Sequence, residues 1–143
     1  MSGVLKTELT RRYRFASSHR LHSAKLSEEE NQRTYGKCNN PYGHGHNYTV
    51  EVSVSRSVDP VTGMVANLDV LDNFVEREVV EVFDHKHLNL DVDAFRENVP
   101  TTENLCMEIY SRLRKFPSAK LERVRIEETG LNSFEYTGSG SEG

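Results

Sequence analysis

The chain has 143 residues, with 18 Lys and Arg against 22 Asp and Glu, so its net charge is -4 when the six histidines are neutral. That length holds one domain with a real core, and the acidic balance argues against non-specific nucleic-acid binding. No apolar run is long enough to span a bilayer, and the first residues lack the charged-then-apolar pattern of a signal peptide. A cytoplasmic protein is therefore expected, with Cys38 and Cys106 as thiols rather than a disulfide.

From Val4 to about Ala16, Leu9, Arg11, Tyr13 and Phe15 share one side, the alternation of a strand with one buried face, and that strand runs directly into His19. Ser27 before Glu28-Glu29-Glu30 predicts a short capped helix. Tyr48, Val50, Val52 and Val54 alternate with polar residues from His46 to Val58, the clearest strand in the chain, and His44 and His46 continue its apolar side. Asp59-Pro60-Val61-Thr62-Gly63 is turn chemistry, followed by an expected short strand over residues 64–66. A helix starts at Asn67 or Asp69 and carries Leu68, Leu71, Val75, Val79 and Val82 or Phe83 at spacings of three and four, ending at Asp84-His85. After an irregular acidic loop over residues 88–99, Thr101 or Thr102 caps a second helix with Leu105, Ile109, Leu113 and Phe116 inward. Residues 121–128 and 134–137 read as the last strands. The fold class is thus α+β, with two helices on one face of an antiparallel β-sheet. Residues 1–137 form a single domain, and the Gly/Ser-rich tail of residues 138–143 is expected to be disordered. The open sheet edges point to oligomerisation.

All six histidines fall in three short clusters, Ser18-His19-Arg20-Leu21-His22, Gly43-His44-Gly45-His46 and Asp84-His85-Lys86-His87. Residues two apart on an extended backbone point to one side, so His44 and His46 can face one ion. With His19 at the end of a second strand they make a three-histidine set, the arrangement of a catalytic zinc that keeps one position open. His22 is a reserve ligand. Cys38, six residues before His44, could be a fourth ligand, a nucleophile or a proton-transferring base. Cys106 borders the apolar stripe of the second helix and reads as core. Asp84 beside His85 reads either as an acid orienting a base or as a helix end stabilised by the dipole. Glu128 is a carboxylate in phase with Val124 and Ile126, so it either receives donors from a ligand or lies at the rim of the core.

Several segments, in this order, closely resemble the 6-pyruvoyl tetrahydropterin synthase family. They are Phe15-Ala-Ser-Ser-His-Arg-Leu-His22, Tyr35-Gly-Lys-Cys-Asn-Asn-Pro-Tyr-Gly-His-Gly-His-Asn-Tyr48, Asp59-Pro-Val-Thr-Gly-Met64, Asp84-His-Lys-His-Leu88, Thr101-Thr-Glu-Asn104 and Glu127-Glu-Thr129. The resemblance implies a T-fold subunit assembled as a homohexamer of two trimers with barrels of pooled strands. It implies zinc on His19, His44 and His46 and Cys38 as the proton-abstracting thiol. Asp84 and His85 become an acid/base pair supplied by a neighbouring subunit. Glu128 becomes the pterin anchor, and Thr101, Thr102 and Glu103 the segment lining the pterin pocket. The implied reaction is a lyase step in tetrahydrobiopterin biosynthesis. It turns 7,8-dihydroneopterin triphosphate into 6-pyruvoyl-tetrahydropterin and triphosphate, with no redox cofactor besides the internal transfers. Arg14, Arg20 and Lys37 are candidates for holding the phosphates. Tyr42, His87 and the Glu127-Glu128-Thr129-Gly130 stretch depart from the family pattern without removing a reacting group. Two rival readings are the related 6-carboxytetrahydropterin synthase of queuosine biosynthesis, which resembles a shorter Cys-to-HGH interval, and a non-catalytic zinc-stabilised oligomer with Cys38 as fourth ligand.

Overall fold

A computed structural model describes residues 5–138. Val4 and residues 139–143 of the Gly/Ser-rich tail lie outside the described residues. Two long strands, β1 (Lys6–His19) and β2 (His44–Ser57), pair antiparallel over their whole length, from Lys6 opposite Ser57 to His19 opposite His44. This register has a functional consequence. Because the end of β1 meets the start of β2, the histidine of one strand and the two of the other arrive at the same end of the sheet.

β4 (Lys120–Glu127) pairs antiparallel with the other side of β2, and β5 (Ser133–Tyr136) pairs antiparallel with β4. The expected all-antiparallel sheet needs one correction. The two-residue β3 (Lys86–His87) pairs parallel with β1 at Ser17 and Ser18, giving the order β3-β1-β2-β4-β5. A strand that short carries no periodicity, so nothing in the sequence announces it.

The helices cover one face. α2 (Leu68–Val75) continues through a π-turn (Glu76–Val80) into α3 (Glu81–Phe83), and α5 (Thr102–Leu113) lies beside it. The buried residues of the first rod, Leu71, Val75, Val79 and Phe83, are spaced by four throughout. A regular α-helix of 3.6 residues per turn would rotate such a stripe off the sheet, and the wider π-turn keeps it facing inward. Leu105, Ile109 and Leu113 of α5 are buried against Tyr48, Val50, Val52 and Val54 of β2 in a single apolar cluster. Phe116, just past α5, is buried as expected. Arg11 sits on the helix-covered side of β1 and donates from both Nε and Nη2 to Asp72 of α2, at 3.0 and 2.6 Å, while the Tyr13 hydroxyl donates to the same carboxylate at 2.7 Å. The odd charge of that strand face is thus a latch to the helix.

α1 (Glu28–Tyr35) begins at Ser27 with a complete capping box: the Ser27 hydroxyl accepts from Glu30 N and the Glu30 carboxylate accepts from Ser27 N. The strand expected over residues 64–66 does not form. Asp59 and Gly63 close the turn on itself, with Gly63 N donating to Asp59 O at 2.7 Å and Asp59 N to Met64 O at 3.0 Å. Both edges of β2 are already taken, so Val65 and Ala66 are buried without a ladder. The acidic loop over residues 88–99 contains α4 (Leu88–Asp91) and a 3₁₀ turn (Asp93–Phe95), which sink Leu88, Val92 and Phe95 into the core. Cys106 is buried and donates its S–H to Val124 O, and both cysteines are free thiols. Among the described residues, no helix is long and apolar enough to cross a membrane.

Candidate metal centre and active site

His19, at the last residue of β1, is fully buried. Its Nδ1 lies 2.9 Å from Pro100 O and 3.4 Å from the Tyr48 hydroxyl. A carbonyl only accepts, so Nδ1 carries the hydrogen and the lone pair is on Nε2. That Nε2 faces His46 Nε2 at 3.1 Å. His46 Nε2 is also 3.3 Å from His44 Nδ1 and 3.7 Å from Cys38 Sγ. The most compact group is His19, Cys38 and His46, whose ligand atoms all lie within 4.8 Å of one another. His44 joins it through His46.

This donor set fits a divalent cation. Three ring nitrogens and a sulfur converge where a single ring hydrogen could satisfy only one contact. Nitrogens bound tetrahedrally to zinc at the usual bond length lie about 3.3 Å apart, close to the 3.1 and 3.3 Å observed here. Burial, with the neighbouring His46 adding to it, holds the His19 pKa down at about 4, and burial lowers that of His46 too. Both imidazoles are therefore neutral at physiological pH, as ligands must be. Burial, and then the charge of Glu128, push the Cys38 thiol up.

Contrary to expectation, His44 does not share the buried face that Tyr48 and Val50 suggest. It is exposed, while His46 is half-buried, because the apolar face of β2 runs out beyond the edge of the helical layer at this end of the strand. His22 is outside the cluster, with its Nδ1 3.2 Å from the Asn39 side-chain amide. Gly43, with φ of +88°, allows the close turn into the histidine pair, since a Cβ there would lie 3.1 Å from both His19 O and His87 Nε2. Gly43→Ala is expected to lower stability by about 1–3 kcal/mol through this conformation and contact, measured by chemical denaturation, and to weaken metal binding with it.

Asp84 and His85 form a pair with His85 Nδ1 2.9 Å from Asp84 Oδ2. The turn is pinned to β1 through Ala16, whose N donates to Asp84 Oδ1 at 2.9 Å and whose O accepts from His85 N at 2.6 Å. His85 is held at φ of +58°, a backbone conformation uncommon outside glycine. Its side chain is 84% exposed, and no hydrogen bond among the described residues joins it to Cys38. It lines a cavity of about 560 Å³ together with His46, Ser17, Lys86 and His87. The pair thus places an imidazole in contact with a carboxylate at the wall of this cavity.

Glu128 lies one residue past β4 and accepts from the Thr102 hydroxyl. It is half-buried, held by that contact to the buried Thr102. Thr101 is the N-cap of α5, its hydroxyl accepting from Asn104 N, and Thr102 is buried. Glu103 is exposed and lines a different cavity, with Cys106, Met107 and residues of β5. Two contributors were invisible in the sequence, the Pro100 carbonyl that sets the His19 tautomer and the Tyr48 hydroxyl beside it. The first is a backbone atom with no residue signature, and the second reads as core.

A sequence profile of 6-pyruvoyl tetrahydropterin synthase matches residues 8–139. The chain belongs to the 6-pyruvoyl tetrahydropterin synthase family. Among named relatives, the 6-pyruvoyl tetrahydrobiopterin synthase of Poecilia reticulata is 50% identical over 131 residues, 91% of this chain and 89% of that protein. That of Homo sapiens is 46% identical over 134 residues, 93% and 92% of the two chains. The solved structure of the Caenorhabditis elegans 6-pyruvoyl tetrahydropterin synthase superposes with a TM-score of 0.90 at 41% identity, covering 97% of this chain and all of that one.

Proposed function

We propose that this chain is a zinc-dependent 6-pyruvoyl tetrahydropterin synthase. It converts 7,8-dihydroneopterin triphosphate to 6-pyruvoyl-tetrahydropterin and triphosphate as a carbon–oxygen lyase, and it acts in the cytoplasm. The observation that carries the reading is the meeting of His19, His46 and Cys38 within 4.8 Å at one end of the sheet, in a chain of this family.

His19, His44 and His46 would hold the metal. Zinc bound there would supply Lewis acidity toward the side-chain oxygens of the substrate, which would make the adjacent C–H bonds more acidic. Glu128, steadied by Thr102, accepts from the pterin's amino and ring N–H groups and orients the ring. Cys38 removes a side-chain proton. Asp84 fixes His85 with Nδ1 toward the carboxylate, leaving Nε2 to return or accept a proton. The exposure of His85 and its lack of a bond to Cys38 fit a role in the site of a second copy. Successive proton transfers oxidise the side chain, reduce the ring and release the triphosphate, so no external electron acceptor is needed.

Of the three cations considered for the phosphates, Arg20 is committed to Asn39 O through its Nε at 3.1 Å. Arg14 points to the sheet face away from the helices, opposite Thr49. Lys37 lines a cavity of about 580 Å³ with Asn40 and His44 and makes no ion pair among the described residues. We assign the phosphate chain to Lys37. A homohexamer is supported by the outer edge of β1, since β3 covers only Ser17 and Ser18 and no described strand pairs with the rest.

The deciding experiment is incubation of the zinc-loaded protein with 7,8-dihydroneopterin triphosphate and mass analysis of the pterin product. Release of triphosphate with all side-chain carbons retained is expected. Loss of side-chain carbons would point instead to the carboxytetrahydropterin branch. Glu128→Gln removes one charge-assisted pairing of about 1.5–3 kcal/mol, so kcat/KM is expected to fall roughly 10- to 150-fold, with the metal retained, in steady-state assays.

The contact between Cys38 Sγ and His46 Nε2 favours one second reading. At 3.7 Å the sulfur is close enough to complete the coordination shell, which would make the site structural.

A further inference from the structure

We propose that Asn39 and Asn89 are positioning residues that set the Cys38 thiol against His46. The inference rests on the role given to Cys38 above. β1 stops at His19, and Arg20, Leu21 and His22 have no strand partner. Cys38 itself lies on a 3₁₀ turn (Gly36–Asn39) outside the sheet. Something other than strand pairing must therefore hold the thiol in place.

Two side-chain amides do this. Leu21 N donates to Cys38 O at 2.7 Å, and the Asn39 amide donates back to Leu21 O at 2.7 Å, completing a pair of bonds like one rung of a ladder. Asn39 is only 7% exposed, and its main-chain carbonyl accepts from Arg20 Nε. On the far side of the same segment, Asn89 of α4 accepts from Arg20 N and donates to Arg20 O, both at 2.8 Å. The Asn89 side chain thus stands in for a neighbouring strand. Asn89 uses the donor and the acceptor that an amide supplies side by side, and Asn39 uses its donor. A carboxylate would keep the acceptor and set negative charge against a carbonyl. The connection runs from Asn89 through Arg20 and Leu21 to Cys38, and α4 is joined through the two-residue β3 to the turn that carries Asp84 and His85. The thiol and the imidazole pair are therefore referenced to the same end of β1.

Asn39→Asp and Asn89→Asp keep the side-chain shape and delete the donor. With the zinc-loaded full chain and 7,8-dihydroneopterin triphosphate, each is expected to lower kcat by about 10- to 100-fold, as small misplacements of a reacting group do. KM and metal content should stay within about twofold of the wild type. In parallel, the rate at which iodoacetamide alkylates Cys38, followed by mass spectrometry with buried Cys106 as internal reference, should change by at least about threefold. The inference is overturned if kcat and the alkylation rate both stay at wild-type values. It is equally overturned if kcat, metal content and thermal midpoint fall together while KM rises, since that pattern marks residues that merely stabilise the fold. A wild-type chain inactive on this substrate would overturn the functional reading instead, and the alkylation rate would then decide the positioning role by itself.

Discussion

Cys38→Ala is expected to keep the metal and lose turnover by about 10²- to 10⁴-fold, the range for removing a positioned proton-transfer group. The chain by itself holds this thiol protonated, because burial and the charge of Glu128 both raise its pKa. Beside a divalent cation the balance shifts toward the thiolate. Its 3.7 Å approach to His46 Nε2 puts the sulfur at the edge of the metal centre, near the substrate's side chain if the ring is anchored on Glu128. The measurement is steady-state kcat alongside metal analysis of the purified variant. Retained metal with lost turnover identifies a proton-transfer role. Metal lost together with turnover identifies a ligand, and the structural reading would then replace the enzymatic one.

His46→Ala is expected to abolish metal binding at any practical concentration, and with it turnover, a larger effect than any other single histidine produces. His46 Nε2 is the hub of the cluster, in contact with His19 Nε2, His44 Nδ1 and Cys38 Sγ. Removing it leaves His19 and His44 without a common neighbour. Loss of a direct ligand should exceed the roughly 10- to 100-fold weakening that follows from losing an outer-shell partner. His44→Ala should be milder, because His44 is the exposed member of the three proposed ligands and its loss leaves the close His19–His46 pair in place. Competition titrations with a chelator of known affinity rank the two variants. Equal losses would show that the hub arrangement is not what holds the ion.

Much of this site can be read from residue order because its clustered histidines, His19, His44 and His46, are carried by strands. A two-residue spacing such as His44 to His46 fixes a shared side before any tertiary contact exists. The apolar alternation of Tyr48 to Val54 likewise locates β2, and Ser27 with Glu30 locates the start of α1, since both signals are local. The signals fail where the deciding contact is distant in sequence. Residues 64–66 are apolar enough for a strand but are tied back by the Asp59–Met64 turn beside a β2 whose two edges are already paired, and Lys86–His87 makes one because Ser17 and Ser18 lie beside it.

The amino-acid order alone determined the donor types, their grouping into three clusters, the α+β layout and the two helical stripes, because these follow from chemistry and periodicity within a few residues. Only the folded chain decided that His19 meets His46 rather than His44 most closely, that Pro100 fixes the His19 tautomer, and that Asn39 and Asn89 hold the thiol's segment. Those outcomes depend on the register of β1 against β2 and on contacts between residues as far as 81 positions apart. Such contacts arise from packing the whole sheet against its helices and leave no mark on the local pattern.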